Sequence, residues 1–240
     1  MKIIGQGVCG PNETNKYLED TLKEFKRLCD DVIICTCNAG IKEKALIRKY
    51  GFRQYEDDRI WGKQQPNIKR DLLKRIIQLS PDWILPLDMD ETMPTVDRQI
   101  LEGLTKGREA CQFYVTNLWN DELHYAKALS FYNVRFYKNI PEMETQFLRK
   151  PVHCGNAPPY FYTKPAIETY VPHILLHKGL MKKEDRMQKV LRYQQFDPKA
   201  EHKGSQYYES LEVDGSGSEY IEQEVINKLI EQYNKIHARK

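Results

Sequence analysis

The sequence predicts an α/β fold: a mostly parallel, doubly wound sheet followed by a smaller mixed half. Three observations carry that expectation. Short apolar runs alternate with segments of helical periodicity through residues 1–91. The runs are continuous in apolar character, as in strands covered on both faces. One of them, Trp83-Ile84-Leu85-Pro86-Leu87, ends abruptly in Asp88, Asp90 and Glu91. In open α/β sheets, ligands bind beyond the carboxyl ends of the strands.

Lys2 to Gly5 reads as a short first strand, with Gly5, Gly7, Gly10 and Pro11 marking the loop after it. Leu18, Leu22, Phe25 and Cys29 recur at helical spacing, which predicts a helix over Thr14 to Leu28. Val32 to Cys37 is the second strand, Lys42 to Lys49 a helix, and Phe52 to Tyr55 the third strand. Ile68, Leu72, Leu73, Ile76 and Ile77 stripe a further helix that stops before Pro81. The acidic strand completes a βαβαβαβ order, the pattern of parallel sheets with right-handed crossovers.

The second half reads differently. Cys111 to Trp119 and Phe131 to Tyr137 are strands joined through a polar turn at Asn120-Asp121-Glu122. The proline-rich stretch from Ile140 to Pro165 is long enough to suggest a functional loop. Val171 to His177 is a last strand, and Lys182 to Tyr193 a helix ended by Asp197-Pro198. Asp214 to Ser218 has linker composition, and Ile221, Val225, Leu229 and Ile236 predict a final amphipathic helix. The expected domain is residues 1–213, in halves 1–91 and 92–213, with 214–240 as linker and helix.

A chain of 240 residues with 40% hydrophobic content can bury one sizeable core. Its net charge of only +3 excludes a nucleic-acid binder driven by a large basic field. No apolar run approaches the ~20 residues of a membrane span, and Met1-Lys2-Ile3-Ile4-Gly5 is no signal peptide. The cysteines show no disulfide or zinc framework, so a reduced cytoplasmic protein is expected. Cys35-Thr36-Cys37 sits in an apolar run and reads as buried strand thiols.

Asp88 and Asp90, one residue apart, can approach one hard cation from the same side of a turn. Magnesium or manganese accepts such oxygen ligands and keeps positions open for phosphates. A sheet edge carrying that ion suits a nucleoside diphosphate, whose departing charge the ion neutralises. Both glycosyl and nucleotidyl transfer fit this chemistry.

Several segments, in order, resemble the family 2 glycosyltransferases of the GT-A fold, a Rossmann-like architecture. Asn12-Glu13 with Tyr17-Leu18 is similar to the Asn-Glu segment that opens many members, and Asp31-Val32-Ile33-Ile34 to their second strand. Arg70-Asp71 resembles their Arg-Asn pair, and Trp83 to Glu91 their strand with Asp-x-Asp-Glu, the DXD motif. His153-Cys154-Gly155 and the series His177-x-Gly179, Asp185-Arg186, Lys189, Arg192-Tyr193, Asp197-Pro198 are similar to segments of a subset. The resemblance implies Asp90 as the main metal ligand, Asp88 as its partner near the ribose, and His177 as the third ligand. Glu91 either supports the acids or caps a following helix.

On this reading Cys9, Gly10, Asn12, Asn38, Arg70 and Asp88 contact the donor nucleotide, with Arg186 the best of three basic residues for its diphosphate. Asn38 stands where the family often has an acid, and suits either a base contact or a left-handed turn. His153 and Asn156 would touch the acceptor, and Trp119 and Tyr160 are candidate sugar platforms. An inverting reaction needs a carboxylate base, for which Glu142, Glu144 and Asp121 are candidates. The expected activity moves a sugar from a nucleotide sugar, with a UDP-sugar favoured, to the hydroxyl of a carbohydrate or other acceptor. The alternatives are a sugar-phosphate nucleotidyltransferase and a non-catalytic nucleotide-sugar binding protein. Against the former, Gly5-Gln6-Gly7-Val8-Cys9-Gly10-Pro11 contains no Lys or Arg.

Overall fold

The computed structural model describes residues 1–13, 17–141, 143, 147, 154–165, 169–199, 210–211 and 218–220. Its frame is one sheet in the order β3-β2-β1-β4-β8-β6-β9-β5. The first four of these are β1 (Ile3–Cys9), β2 (Asp31–Cys37), β3 (Arg53–Asp57) and β4 (Trp83–Pro86), all mutually parallel. The others are β5 (Glu91–Thr92), β6 (Ala110–Asn117), β8 (Phe131–Lys138) and β9 (Tyr170–His177). Here β8 runs antiparallel to β4 and β6, β9 parallel to β6, and β5 antiparallel to β9. The architecture is α/β as predicted, although the mixed half contributes as many strands as the parallel half.

Helices cover both faces, which is why β2 is buried along nearly its whole length. On one face α1 (Leu18–Leu28), α2 (Ile41–Lys49) and α4 (Arg98–Leu104) bury Leu22, Phe25, Ile47 and Leu101 against the sheet. On the other, α3 (Trp61–Ile77) buries Ile68, Leu72, Leu73 and Ile76, joined by Cys154, Ala157 and Phe161. A last helix, α5 (Lys183–Phe196), touches the start of α3: a Cβ on Gly62 would overlap the Phe196 ring.

Two expectations near the N-terminus are corrected. Gly5 and Gly7 lie inside β1 instead of in a loop. Their absent side chains admit close packing: a Cβ on Gly5 would meet Phe25 Cδ1 at 2.7 Å, and one on Gly7 would run into Met89. The helix expected from Thr14 begins at Leu18, and residues 14–16 lie outside the described residues.

The turn expected between β6 and β8 holds a further strand, β7 (His124–Ala126). It pairs antiparallel with β10 (Ser218–Tyr220), so Ser218, read as linker, starts a strand. The expected final helix lies outside the described residues. Among the described residues no helix is long and apolar enough to cross a membrane.

Candidate active site

A cleft of about 710 Å³ opens at the carboxyl ends of β1, β2 and β4, within the usual range for ligand sites. Its acidic corner is built by a turn. Leu87 N–H bonds Gln6 O at 3.0 Å, holding β4 to β1, and Glu91 N–H returns to Asp88 O at 3.0 Å. Within that turn Met89 is buried against β1, while Asp88 and Asp90 line the cleft.

Strand pairing brings distant residues to this turn. Glu91 in β5 is the register partner of His177 in β9, and Lys178 N–H bonds Asp90 O at 2.8 Å. Asn117 in β6 is the register partner of His177 on its other side. Asn117 donates from Nδ2 to Leu129 O at 2.7 Å, so its Oδ1 must be the acceptor facing His177 Nδ1. That places a proton on Nδ1. Nε2 faces Asp90 Oδ2 at 3.3 Å, with Lys189 Nζ 3.4 Å away. A Cβ on Gly179 would collide with Asp90 Oδ2 and sit 3.1 Å from His177 Nε2, so glycine keeps this corner open. Burial opposes ionisation of Asp90, but His177, Lys189 and Arg192 hold its carboxyl below the usual carboxylate range.

Asp88 is engaged elsewhere. Its Oδ2 accepts from Asn156 Nδ2 at 3.1 Å and lies 3.6 Å from Arg135. Burial would raise its carboxyl, and Lys69 and Arg135 lower it. Among the described residues no three His, Cys, Asp or Glu side chains converge to hold a metal. The expected set of Asp88, Asp90 and His177 is therefore not brought together. The corner brings together two side chains that could contribute to holding a metal ion, Asp90 and His177.

Glu91 caps no helix, since Asp97 caps α4 by accepting from Ile100 N–H at 2.7 Å. Instead Glu91 is buried and grips Arg135 through both oxygens, at 2.9 and 2.6 Å. Its Oε2 also accepts Asp88 N–H at 2.9 Å, which ties the acidic turn to β8. Burial pushes the Glu91 carboxyl up. Burial also disfavours charge on Arg135, but Glu91 more than offsets this and raises the guanidinium.

No protein-family model and no curated protein matches the chain. Solved structures do match at low similarity. S. aureus TarS in complex with UDP aligns over 77% of this chain and 49% of its own length, at 12% identity and a TM-score of 0.40. A cytidylyltransferase from Leptospira borgpetersenii aligns over 57% of this chain and 59% of its own, at 16% identity and 0.33. Mannosyl-3-phosphoglycerate synthase from Rubrobacter xylanophilus aligns over 50% and 40%, at 12% identity and 0.33. This chain thus spans less than two thirds of each of these proteins.

The other expected residues divide. Gly10 and Asn38 line the cleft, and Asn38 takes the left-handed geometry, φ 53°, that its turn requires. Asn12 is exposed on the loop after β1, also with positive φ. Cys9 does not reach the cleft; it is buried in the core beneath α1. Arg70 turns to Asp71 at 3.0 Å, and its neighbour Lys69 lines the cleft instead.

Arg186 is fully buried away from the cleft. It lies 4.0 Å over the Trp119 ring and donates to Leu180 O at 3.0 Å and Met181 O at 3.2 Å. Lys189 and Arg192, on an adjoining face of α5, line the cleft in its place. Trp119 is therefore core, and Tyr160 packs on Phe161 outside the cleft. Asp121 accepts Leu123 and His124 N–H in an exposed turn and does not line the cleft. Glu142, Glu144 and His153 lie outside the described residues.

Sequence reasoning missed Arg135, Lys69, Asn117 and Asp185 as cleft residues. A charge inside the apolar run Phe131 to Tyr137 was the signal available for Arg135.

Proposed function

We propose that the chain is a metal-dependent glycosyltransferase that moves a sugar from a nucleoside diphosphate donor to an acceptor hydroxyl. The observation that carries this reading is the corner formed by Asp90, His177 and Gly179. It presents two ligand atoms 3.3 Å apart and is backed by Lys189 and Arg192. Asp90 and His177 would hold manganese or magnesium, and the ion would neutralise the leaving diphosphate. Lys189 and Arg192 add positive charge on the same wall. Gly10 and Asn38 border the end of the cleft suited to the nucleoside.

For the base, Asp185 is the candidate among the described residues. It lines the cleft from the first turn of α5, and its Oδ2 accepts from the Tyr17 hydroxyl at 3.3 Å. A carboxylate there can take the acceptor proton as the new bond forms.

The test is turnover of a panel of nucleotide sugars with manganese. Sugar transfer or donor hydrolysis supports the proposal. Diphosphate release from a nucleoside triphosphate would replace it with nucleotidyl transfer, and binding without turnover would leave a binding protein. Asp185→Asn should lower kcat by about 10²-fold or more with donor affinity retained; unchanged kcat would remove Asp185 from the mechanism.

A further inference from the structure

A buried lysine holds a short loop that lines the cleft. Lys69 lies in α3 with only 6% of its surface exposed. Its Nζ donates to Gly155 O at 2.6 Å and, more closely still, to Asn156 Oδ1. Asn156 is also buried and donates from Nδ2 to Asp88 Oδ2 at 3.1 Å. An ammonium can only donate and a carboxylate only accept. The amide between them therefore has a single orientation that satisfies both neighbours.

The same loop is pinned from the opposite side. Asn156 N–H points to the Tyr162 hydroxyl at 3.4 Å, and that hydroxyl donates to Asn133 Oδ1 at 2.7 Å. Asn133 lines the cleft on β8, beyond Arg135. Gly155 sits at φ +79°, and a Cβ there would press on the Tyr162 hydroxyl at 3.0 Å. The loop thus links Asp88 on the acidic turn to Asn133 on β8.

We propose that Lys69 is a positioning residue: it anchors the Cys154–Asn156 loop and aims the Asn156 amide at Asp88, so that Asp88 and Asn133 are set together. This inference rests on the cleft being a nucleotide site only for its effect on ligand affinity. Its effect on the loop stands apart from that reading. Without the ammonium, Gly155 O keeps only the weak Cys154 thiol contact at 3.7 Å and Asn156 Oδ1 loses its charged donor.

Hydrogen exchange separates the two. In Lys69→Met the amides of residues 154–156 should exchange about tenfold faster or more, while α1 amides stay as in the wild type. Unchanged loop exchange would overturn the proposal. If the Met variant loosens throughout, the shorter apolar variant Lys69→Leu is measured in its place; full loop protection in that variant would also overturn the proposal.

Affinity is then measured for UDP, GDP, CDP, ADP and TDP with manganese. Asp88→Asn and Lys69→Met should each weaken the best binder, and the double variant should be no worse than Asp88→Asn alone. Additive losses would overturn a role through Asp88. If Asp88→Asn leaves every affinity unchanged, the nucleotide reading of the cleft fails while the exchange result still decides the loop anchor.

Discussion

Arg135→Met is the perturbation with the clearest consequence. Arg135 is 3% exposed and Glu91 fully buried, and two hydrogen bonds of 2.9 and 2.6 Å join them. Removing one partner of such a pair strands the other and costs about 3–5 kcal/mol. At about 2–4 °C per kcal/mol for a domain of this size, the melting temperature should drop by roughly 6–20 °C. The neutral double variant Arg135→Met/Glu91→Gln should recover most of that loss, since no buried charge is stranded.

The pH dependence supplies an independent signature. Burial already pushes the Glu91 carboxyl up, and the guanidinium works against that shift. Without Arg135 the folded-state pKa rises further above its unfolded value. A raised carboxyl stabilises the fold fully below the unfolded pKa and loses that contribution as pH rises through the folded pKa. Acidifying Arg135→Met from about pH 7 to 5 should therefore stabilise it, and stabilise the wild type less. Urea unfolding at several pH values measures both effects. A loss under about 1 kcal/mol at pH 7, or a fall in stability from pH 7 to 5, would refute the buried-pair reasoning.

Three further outcomes follow from the site. Asp90→Ala and His177→Ala should raise the manganese concentration needed for nucleotide binding by about tenfold or more, whereas Asp88→Asn should leave it nearly unchanged; titration of metal-dependent binding distinguishes them. Arg186→Ala should destabilise by about 2–4 kcal/mol, through loss of its carbonyl bonds and its stacking on Trp119. Urea midpoints read that loss, and kcat of the folded fraction should stay within about threefold if Arg186 is structural. Finally, Asp57, Asp71, Asp88 and Asp90 all have depressed carboxyls: at Asp57 the hydrogen bond from Arg59 leads, and at the others cationic neighbours outweigh burial. Depressed acids contribute stability above the unfolded pKa and lose it as pH falls through the folded one. Melting temperature in chelator should therefore decline below about pH 4.

The order of elements through Leu87 was legible because hydrophobic periodicity is a local signal. Strands covered on both faces are continuously apolar, and the stripe on α3 repeats at helical spacing. The acidic turn was legible for the same reason, since an apolar run that stops at carboxylates marks a strand end. Gly5 and Gly7 misled because glycine signals a turn and a close approach equally well. Only the packing of Phe25 and Met89 onto β1 decides between them.

The same limit governs the site. The sequence by itself determined the α/β order, the sheet edge and the acids at its tip. Tertiary structure decided which neighbour faces the cleft. Lys69 rather than Arg70, and Lys189 with Arg192 rather than Arg186, line the cleft because helix rotation against the sheet sets the exposed side. Pairing of β5 and β6 with β9 decided that His177 meets Asp90 and Asn117. Strand pairing joins residues far apart in the chain, and no local pattern records which partner a strand edge will take.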